Sequence, residues 1–538
     1  MCFKSSAVKN RTLQFKCFEF KWTKKIERED YVMGTEIAFQ NFLEYWAEKT
    51  PEKEAVYDGF RRMSYYELQE EIRQMAIALS KLNIQKGDRV LTSIPNWHEF
   101  VILMFALEKF GAIIVPSNTK SAEPEIKYLM EEIQPKAVFL FSPDQLSWVK
   151  DYEQFCTVIT VRFHEKGYRS FDSLLDTGKD GQLDLAKINP EQDVLCIMHS
   201  SGTTGYPKGV QLTYRNIFAF VTANGEVLEC TDQDVTYNPL PHTHVFGFII
   251  GIIIPLYFGG KTVLTQAFDP KRALILMEEE KVSISLCVPS MLIREMEEYK
   301  QEPKDVTSLK IAFVAAASCP AKVLEEAYAT FHCTMMVAYG STEAGIISSS
   351  RIGDSMEKVC ETVGRAVKGV QIKAVDDKGE SVGPGEAGEL LVKGPLIMKG
   401  YYQKLAETEQ VIDKNGWLHM GDIATIDSFG YIKIVGRKKE VIIRGGENIY
   451  PAELEKVYYS HPSVMEVCIL GFPHEVLGEQ TYAFIKLEDT SLENEETLRE
   501  YARGKIAKHK IPDKVIILPE MPHLPGGKID KRELKSIN

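Results

Sequence analysis

The sequence predicts an α/β protein. A large N-terminal domain of parallel, αβ-layered sheets carries a small barrel-like subdomain, and a small α+β C-terminal domain follows. Three observations lead there. Short β-branched runs alternate with helix-period segments from Asp88 onward, a glycine-punctuated texture takes over near Val363, and a differently patterned run begins near Gly436-Arg437-Lys438-Lys439.

The elements follow in order. Residues 89–94 read as a strand, 99–110 as an apolar helix, 112–116 as a strand, 124–133 as a helix and 137–141 as a strand. Such alternation produces βαβ units, whose sheet is buried on both faces and therefore apolar along its whole length. The pattern returns at 282–288, 311–315 and 335–339. Beyond the second boundary, Pro451 opens a helix with Leu454, Val457 and Tyr458 on one face. Strands at 464–470, 481–487 and 514–518 and a helix over 495–507 complete that module. The domains are accordingly 1–32, a loosely ordered extension, then 33–436 and 437–538.

The 538 residues carry a net charge of −12, which argues against a general nucleic-acid binder. Ten scattered cysteines without a CxxC pair fit reduced thiols in a cytoplasmic protein. The 16 uncharged residues 245–260 contain Pro255 and four glycines. That run falls short of the roughly 20 apolar residues a membrane span needs, and reads as a buried element beside a ligand channel. The first 32 residues lack the continuous apolar core of a signal peptide.

The stretch His199-Ser200-Ser201-Gly202-Thr203-Thr204-Gly205-Tyr206-Pro207-Lys208-Gly209 carries four Ser/Thr hydroxyls, three glycines and one lysine behind an apolar run. Backbone N–H groups, hydroxyls and one point charge suit a polyphosphate. The Walker spacing is absent: Gly202 and Gly205 stand too close, Pro207 precedes the lysine and Gly209 follows it. A hairpin loop is expected, without a helix starting at Lys208.

This stretch resembles the signature loop of the adenylate-forming superfamily, which includes AMP-forming acyl-CoA synthetases, peptide-synthetase adenylation domains and beetle luciferases. "YGSTEAG" at 339–345, "GWLHMGD" at 416–422, "GRKKEVIIRGGENIYPAELE" at 436–455 and "LPGGKIDKREL" at 524–534 resemble further motifs of that superfamily, in the same order, so that the likeness covers residues 36 to the end. It implies that a carboxylate attacks the α-phosphate of ATP and that a thiol then captures the acyl-adenylate.

The resemblance assigns roles. Lys528 bridges the carboxylate and the α-phosphate. Glu343 holds Mg²⁺ together with Thr204, and Thr342 donates to the α-phosphate. Ser200, Ser201, Gly202, Thr203, Thr204, Gly205 and Lys208 wrap the phosphates. Tyr339 lies against the adenine, and Gly340 and Ser341 belong to the ATP/AMP site; Asp422 accepts from the ribose, assisted by Arg437. Ala316 and Ala317, in "VAAASCP", where relatives often have glycine, contact the nucleotide or the acyl chain. Lys439 is the hinge that would bring Arg444, Gly445 and Gly446 to coenzyme A. His244 gates the carboxylate pocket, with His242 two residues away. Phe246, Gly247 and Gly345 belong to the acyl pocket.

The pocket stretch "TYNPLPHTHVFGFIIG" has no carboxylate to pair with an ammonium, which disfavours an amino-acid substrate. The apolar run favours a medium- or long-chain fatty acid, each buried CH₂ contributing about 0.8 kcal/mol. Benzoate- or coumarate-type acids, or a carrier protein in place of CoA, are the alternatives. The expected partners are carboxylate, ATP and CoA, with the chain as monomer or homodimer. An ATPase or kinase would instead release ADP. A non-catalytic scaffold would be expected to have lost one of Lys208, Glu343, Asp422 and Lys528.

Overall fold

The computed structural model describes residues 41–183, 185–200, 207–488, 491–523 and 529–537. The extension 1–32, together with Ser201, Gly202, Thr203, Thr204, Gly205 and Lys528, lies outside the described residues.

The alternating first half forms two sheets. One has eight strands, with Ile113–Pro116, Arg89–Thr92, Ala137–Leu140 and Thr157–Thr160 parallel at its centre. The other has nine, with Lys261–Leu264, Val235–Asn238, Ile284–Cys287, Ile311–Val314 and Thr334–Ser341 parallel. Successive strand residues point to opposite faces, and both faces are buried. In the first sheet Val90, Ile114, Phe139 and Met198 enter the core shared by the two sheets, whereas Leu91, Ile113, Val138 and Ile197 pack on the outer side. In the second, Leu286, Phe313 and Met336 face the shared core and Cys287, Ala312 and Val337 face away.

The helix His98–Glu108 is buried at every residue, as a helix apolar on all sides must be. Its polar start is held by Arg162, which contacts Asp58 Oδ2 at 2.5 Å and Glu99 Oε1 at 2.7 Å while its guanidinium stacks on Trp97. His98 Nδ1 lies 2.8 Å from the same Asp58 oxygen. Asp58, His98 and Glu99 have the chemistry of metal ligands, but Arg162 already supplies the cation. The cluster ties an end of one sheet to the other.

The apolar run at 245–260 is a π-helix, Phe246–Ile253, continued by the α-helix Ile254–Tyr257. Close approach dictates its glycines: a Cβ on Gly247 would lie 2.4 Å from Pro241 O, and one on Gly251 would lie 2.0 Å from Asn238 Nδ2. Asn238 Nδ2 donates to Gly247 O and Thr262 Oγ1 donates to Gly251 O, so these buried carbonyls are satisfied. No helix among the described residues is long and apolar enough to cross a membrane.

The glycine-punctuated stretch forms a four-stranded antiparallel sheet in the order Gln371–Val375, Gly388–Lys393, Leu418–Ile426, Ile432–Arg437. Among the described residues, the strands from 442 onward pair with one another, around Val464–His474 and Gly478–Leu487. Both strands outrun their predicted ends. The helix predicted over 495–507 stops at Ala502, because Arg503 turns extended and Gly504 takes φ +78°.

Candidate active site

Val194–Ser200 and Lys208–Thr213 pair antiparallel, with Ser200 opposite Lys208. Lys208 thus opens a strand, as Pro207 and Gly209 require. The short strand Gly400–Tyr401 adds to this hairpin, Tyr401 opposite Val210. Tyr401 OH donates to Glu343 Oε1 at 3.0 Å, and Lys208 Nζ sits 4.8 Å from the centre of the Tyr401 ring. One buried phenol therefore touches both the lysine and the glutamate. Burial, then the Glu343 carboxylate, raises the Tyr401 hydroxyl well above its ordinary range, so it stays a donor.

Glu343 lies with Thr342 in the turn between Thr334–Ser341 and Gly345–Ser349, and its carbonyl accepts from Met398 N at 2.8 Å. Two glycines make that turn possible. Gly345 has φ +66°, and a Cβ on Gly340 would lie 1.9 Å from Gly345 O. Tyr401 is the side chain missed in the sequence: a two-residue strand leaves no periodicity.

Tyr339, on the strand leading to this turn, donates its hydroxyl to Asp422 Oδ2. Asp422 is 3% exposed and directly opposite Arg437, whose Nε is 2.8 Å from Oδ1. Burial raises the Asp422 carboxyl above the ordinary aspartate value, against the pull of Arg437. Each oxygen has one such partner, and a carboxylate offers about four lone-pair sites, so acceptor capacity remains for a diol.

Ala316 and Ala317 follow the strand Ile311–Val314 and are exposed. Ala316 has φ +69°, in the left-handed region where glycine is at ease.

The two histidines separate cleanly. His242 is core: its ring stacks on Phe100 at 3.6 Å, and its Nδ1 lies 2.7 Å from Asn96 Oδ1. Burial, with His244 beside it, lowers it to about 3 and keeps it neutral. His244 is exposed just before the π-helix. Phe246 is buried edge-on to Phe313 at 5.7 Å.

In the C-terminal unit, Gly445 (φ +60°) and Gly446 (φ +87°) form the two-residue turn between Arg444 and Glu447. The Arg444 guanidinium is taken by Asp513, at 2.5 and 3.1 Å, and by His509 O. The turn therefore presents backbone rather than a free guanidinium. Lys439 is exposed in the single turn Lys438–Glu440. The structure thus places Lys208 and Glu343 on Tyr401, and Tyr339 and Arg437 on Asp422. Among the described residues, the hydrogen bonds of Arg444, Gly445 and Gly446 stay within their own sheet unit.

The family model for the AMP-binding enzyme matches residues 43–402, and that for the AMP-binding enzyme C-terminal domain matches 453–528. The medium-chain fatty-acid–CoA ligase of Escherichia coli is 30% identical over 505 residues, covering 91% of this chain and 89% of that protein. ATP-bound MatB from Rhodopseudomonas palustris superposes with a TM-score of 0.84 at 26% identity, over 93% of this chain and 98% of that one. The o-succinylbenzoate CoA synthetase MenE from Bacillus subtilis, bound to its acyl-adenylate, gives 0.80 at 29% identity over 92% and 98%. With a family match over more than half of its length, on a fold that follows ATP-bound relatives nearly end to end, the chain belongs to the AMP-binding enzymes of the adenylate-forming superfamily.

Proposed function

We propose that the protein is an ATP-dependent carboxylate–CoA ligase acting on medium- or long-chain fatty acids. A carboxylate oxygen attacks the α-phosphorus of ATP and pyrophosphate leaves. The CoA sulfur then attacks the acyl carbonyl of the adenylate, AMP leaves with the bond electrons, and the thiol proton passes to solvent. Charge grows on phosphate oxygens in the first step, so fixed donors and cations supply the catalysis. Lys208 and the loop after Ser200 bind the outer phosphates, Thr342 and Lys528 the α-phosphate, and Tyr339, Asp422 and Arg437 the nucleoside. Glu343, with Thr204, would hold Mg²⁺, which neutralises phosphate charge when bound. The donor chemistry fits: Glu343 offers carboxylate oxygens whose one hydrogen-bond partner among the described residues is Tyr401.

The Lys208–Tyr401–Glu343 arrangement carries this reading, because it sets a cation and a metal-seeking carboxylate on one phenol. Residues 33–436 form the nucleotide-binding body and 437–538 a lid hinged at Lys439, which exchanges Lys528 for the turn Arg444-Gly445-Gly446. The buried wall Phe246–Ile253, with Gly345, and the fatty-acid ligase relatives favour an aliphatic acid. The likeness to MenE supports an aryl acid as second reading.

The test is carboxylate-dependent ATP–pyrophosphate exchange over fatty and aryl acids, then thioester formation on adding CoA. Exchange with decanoate but not benzoate is expected. Exchange by aryl acids alone moves the assignment to the second reading, and ADP as product overturns both.

A further inference from the structure

The segment 200–208 leaves and re-enters the hairpin at two points, and one side-chain cluster holds both. His199, just before Ser200, places Nε2 3.0 Å from Glu132 Oε2. Lys404 Nζ is 2.9 Å from the other Glu132 oxygen and donates to Tyr128 OH at 3.3 Å. Tyr128 OH in turn donates to Pro207 O, just before Lys208, at 3.1 Å. The His199 and Glu132 side chains are 9% and 10% exposed, so these contacts are shielded from water.

Two backbone features lie beside the cluster. Gln403 takes φ +54°, a left-handed conformation that a residue with a Cβ rarely adopts, and turns the chain from Tyr401 back so that Lys404 reaches Glu132. A Cβ on Gly209 would lie 2.9 Å from Ile197 Cγ2, 3.3 Å from Tyr402 Cβ and 3.4 Å from His199 Nε2. The glycine after Lys208 is therefore a packing requirement of the strands Val194–Ser200 and Lys208–Thr213 and of Tyr402, beside this cluster. The same short segment carries Tyr401, which bears on Lys208 and Glu343.

We infer that His199, Glu132, Lys404 and Tyr128 are positioning residues that clamp both stems of the phosphate-binding segment and thereby set affinity for the outer phosphates of ATP. The inference rests on the reading of segment 200–208 as the phosphate binder. Ordering backbone at binding costs conformational entropy. Stems fixed in advance remove part of that cost at binding, and loosening them weakens ATP about five- to twentyfold. AMP lacks the outer phosphates, so its binding is the internal reference.

Mg–ATP and AMP dissociation constants are measured by calorimetry on the full chain, with melting temperatures alongside. Tyr128→Phe and Glu132→Gln are expected to weaken Mg–ATP about five- to twentyfold and to leave AMP within about twofold. His199→Ala behaves the same way, and His199→Gln, which keeps a donor toward Glu132, recovers most of the loss. If Lys208→Ala weakens Mg–ATP while these variants leave it unchanged, the clamp is wrong and the loop reading stands. Equal weakening of ATP and AMP with lowered melting temperatures also overturns the clamp, as a merely structural role. If Lys208→Ala leaves Mg–ATP unchanged, the loop reading itself falls and takes the clamp with it.

Discussion

Asp422 and Gly446 stand at opposite extremes of the candidate site. Asp422 is buried in the main body, opposite Arg437 and bonded to Tyr339, so its geometry is fixed before any ligand arrives. Gly446 is exposed at a hairpin tip of the C-terminal unit, in a left-handed conformation, beside an arginine already committed to Asp513. The first half of the site is preorganised by burial and charge; the second presents main-chain groups at a turn. A two-step reaction whose adenylation is electrostatic and whose thiol step is one of access suits that division.

Four substitutions break or sharpen this contrast. Asp422→Ala leaves Arg437 and Tyr339 without their buried partner, and pyrophosphate exchange falls about a hundredfold, or about 3 kcal/mol. A fall of less than about threefold in kcat/KM for ATP removes the preorganised half of the comparison.

Glu295 is a buried acid with no such partner among the described residues: it is 1% exposed, and burial raises it to about 8. The folded protein holds its proton between the ordinary glutamate value and about 8, where the unfolded chain has lost it. Stability from this group is thus complete in acid and is lost as pH rises through that window. Glu295→Gln is expected to stabilise by roughly 2 kcal/mol at pH 8 and by little at pH 4, read from denaturant midpoints.

Tyr401→Phe removes the donor to Glu343 but keeps the ring under Lys208. It costs about 1 kcal/mol, a fivefold rise in KM for ATP at most, without affecting thioester formation from supplied adenylate. Gly446→Ala is the converse. Its strain of about 1 kcal/mol falls on the exposed turn, slowing the thioester half-reaction while exchange keeps its rate. If exchange slows instead, the two halves are not separable in this way.

The main body was legible because parallel strands buried on both faces leave unbroken apolar runs, as at 137–141 and 311–315. Tyr339, Asp422 and Arg437 were found through motifs, and the structure brings those three together. What escaped is long-range. Tyr401 meets Glu343, and Lys404 meets Glu132, across stretches that carry no shared period. Arg162, at φ +59°, closes the buried charge cluster from a turn that the sequence leaves unremarkable. The end of the helix at Ala502, short of the expected 507, has a local cause: Gly504 sits in a helix-like pattern but takes φ +78° and acts as a stop.

The π-wound segment Phe246–Ile253 has one more consequence. Its bonds reach five residues along the chain, and the α-turn that follows reaches four. Shortening this stretch by one amino acid would let regular winding resume and swing the later side chains around the axis by about 100°. Natural length variation there would change which methyl groups and rings face inward without exchanging any of them. Relatives that differ by a single deletion at this point are expected to differ in the acids they accept.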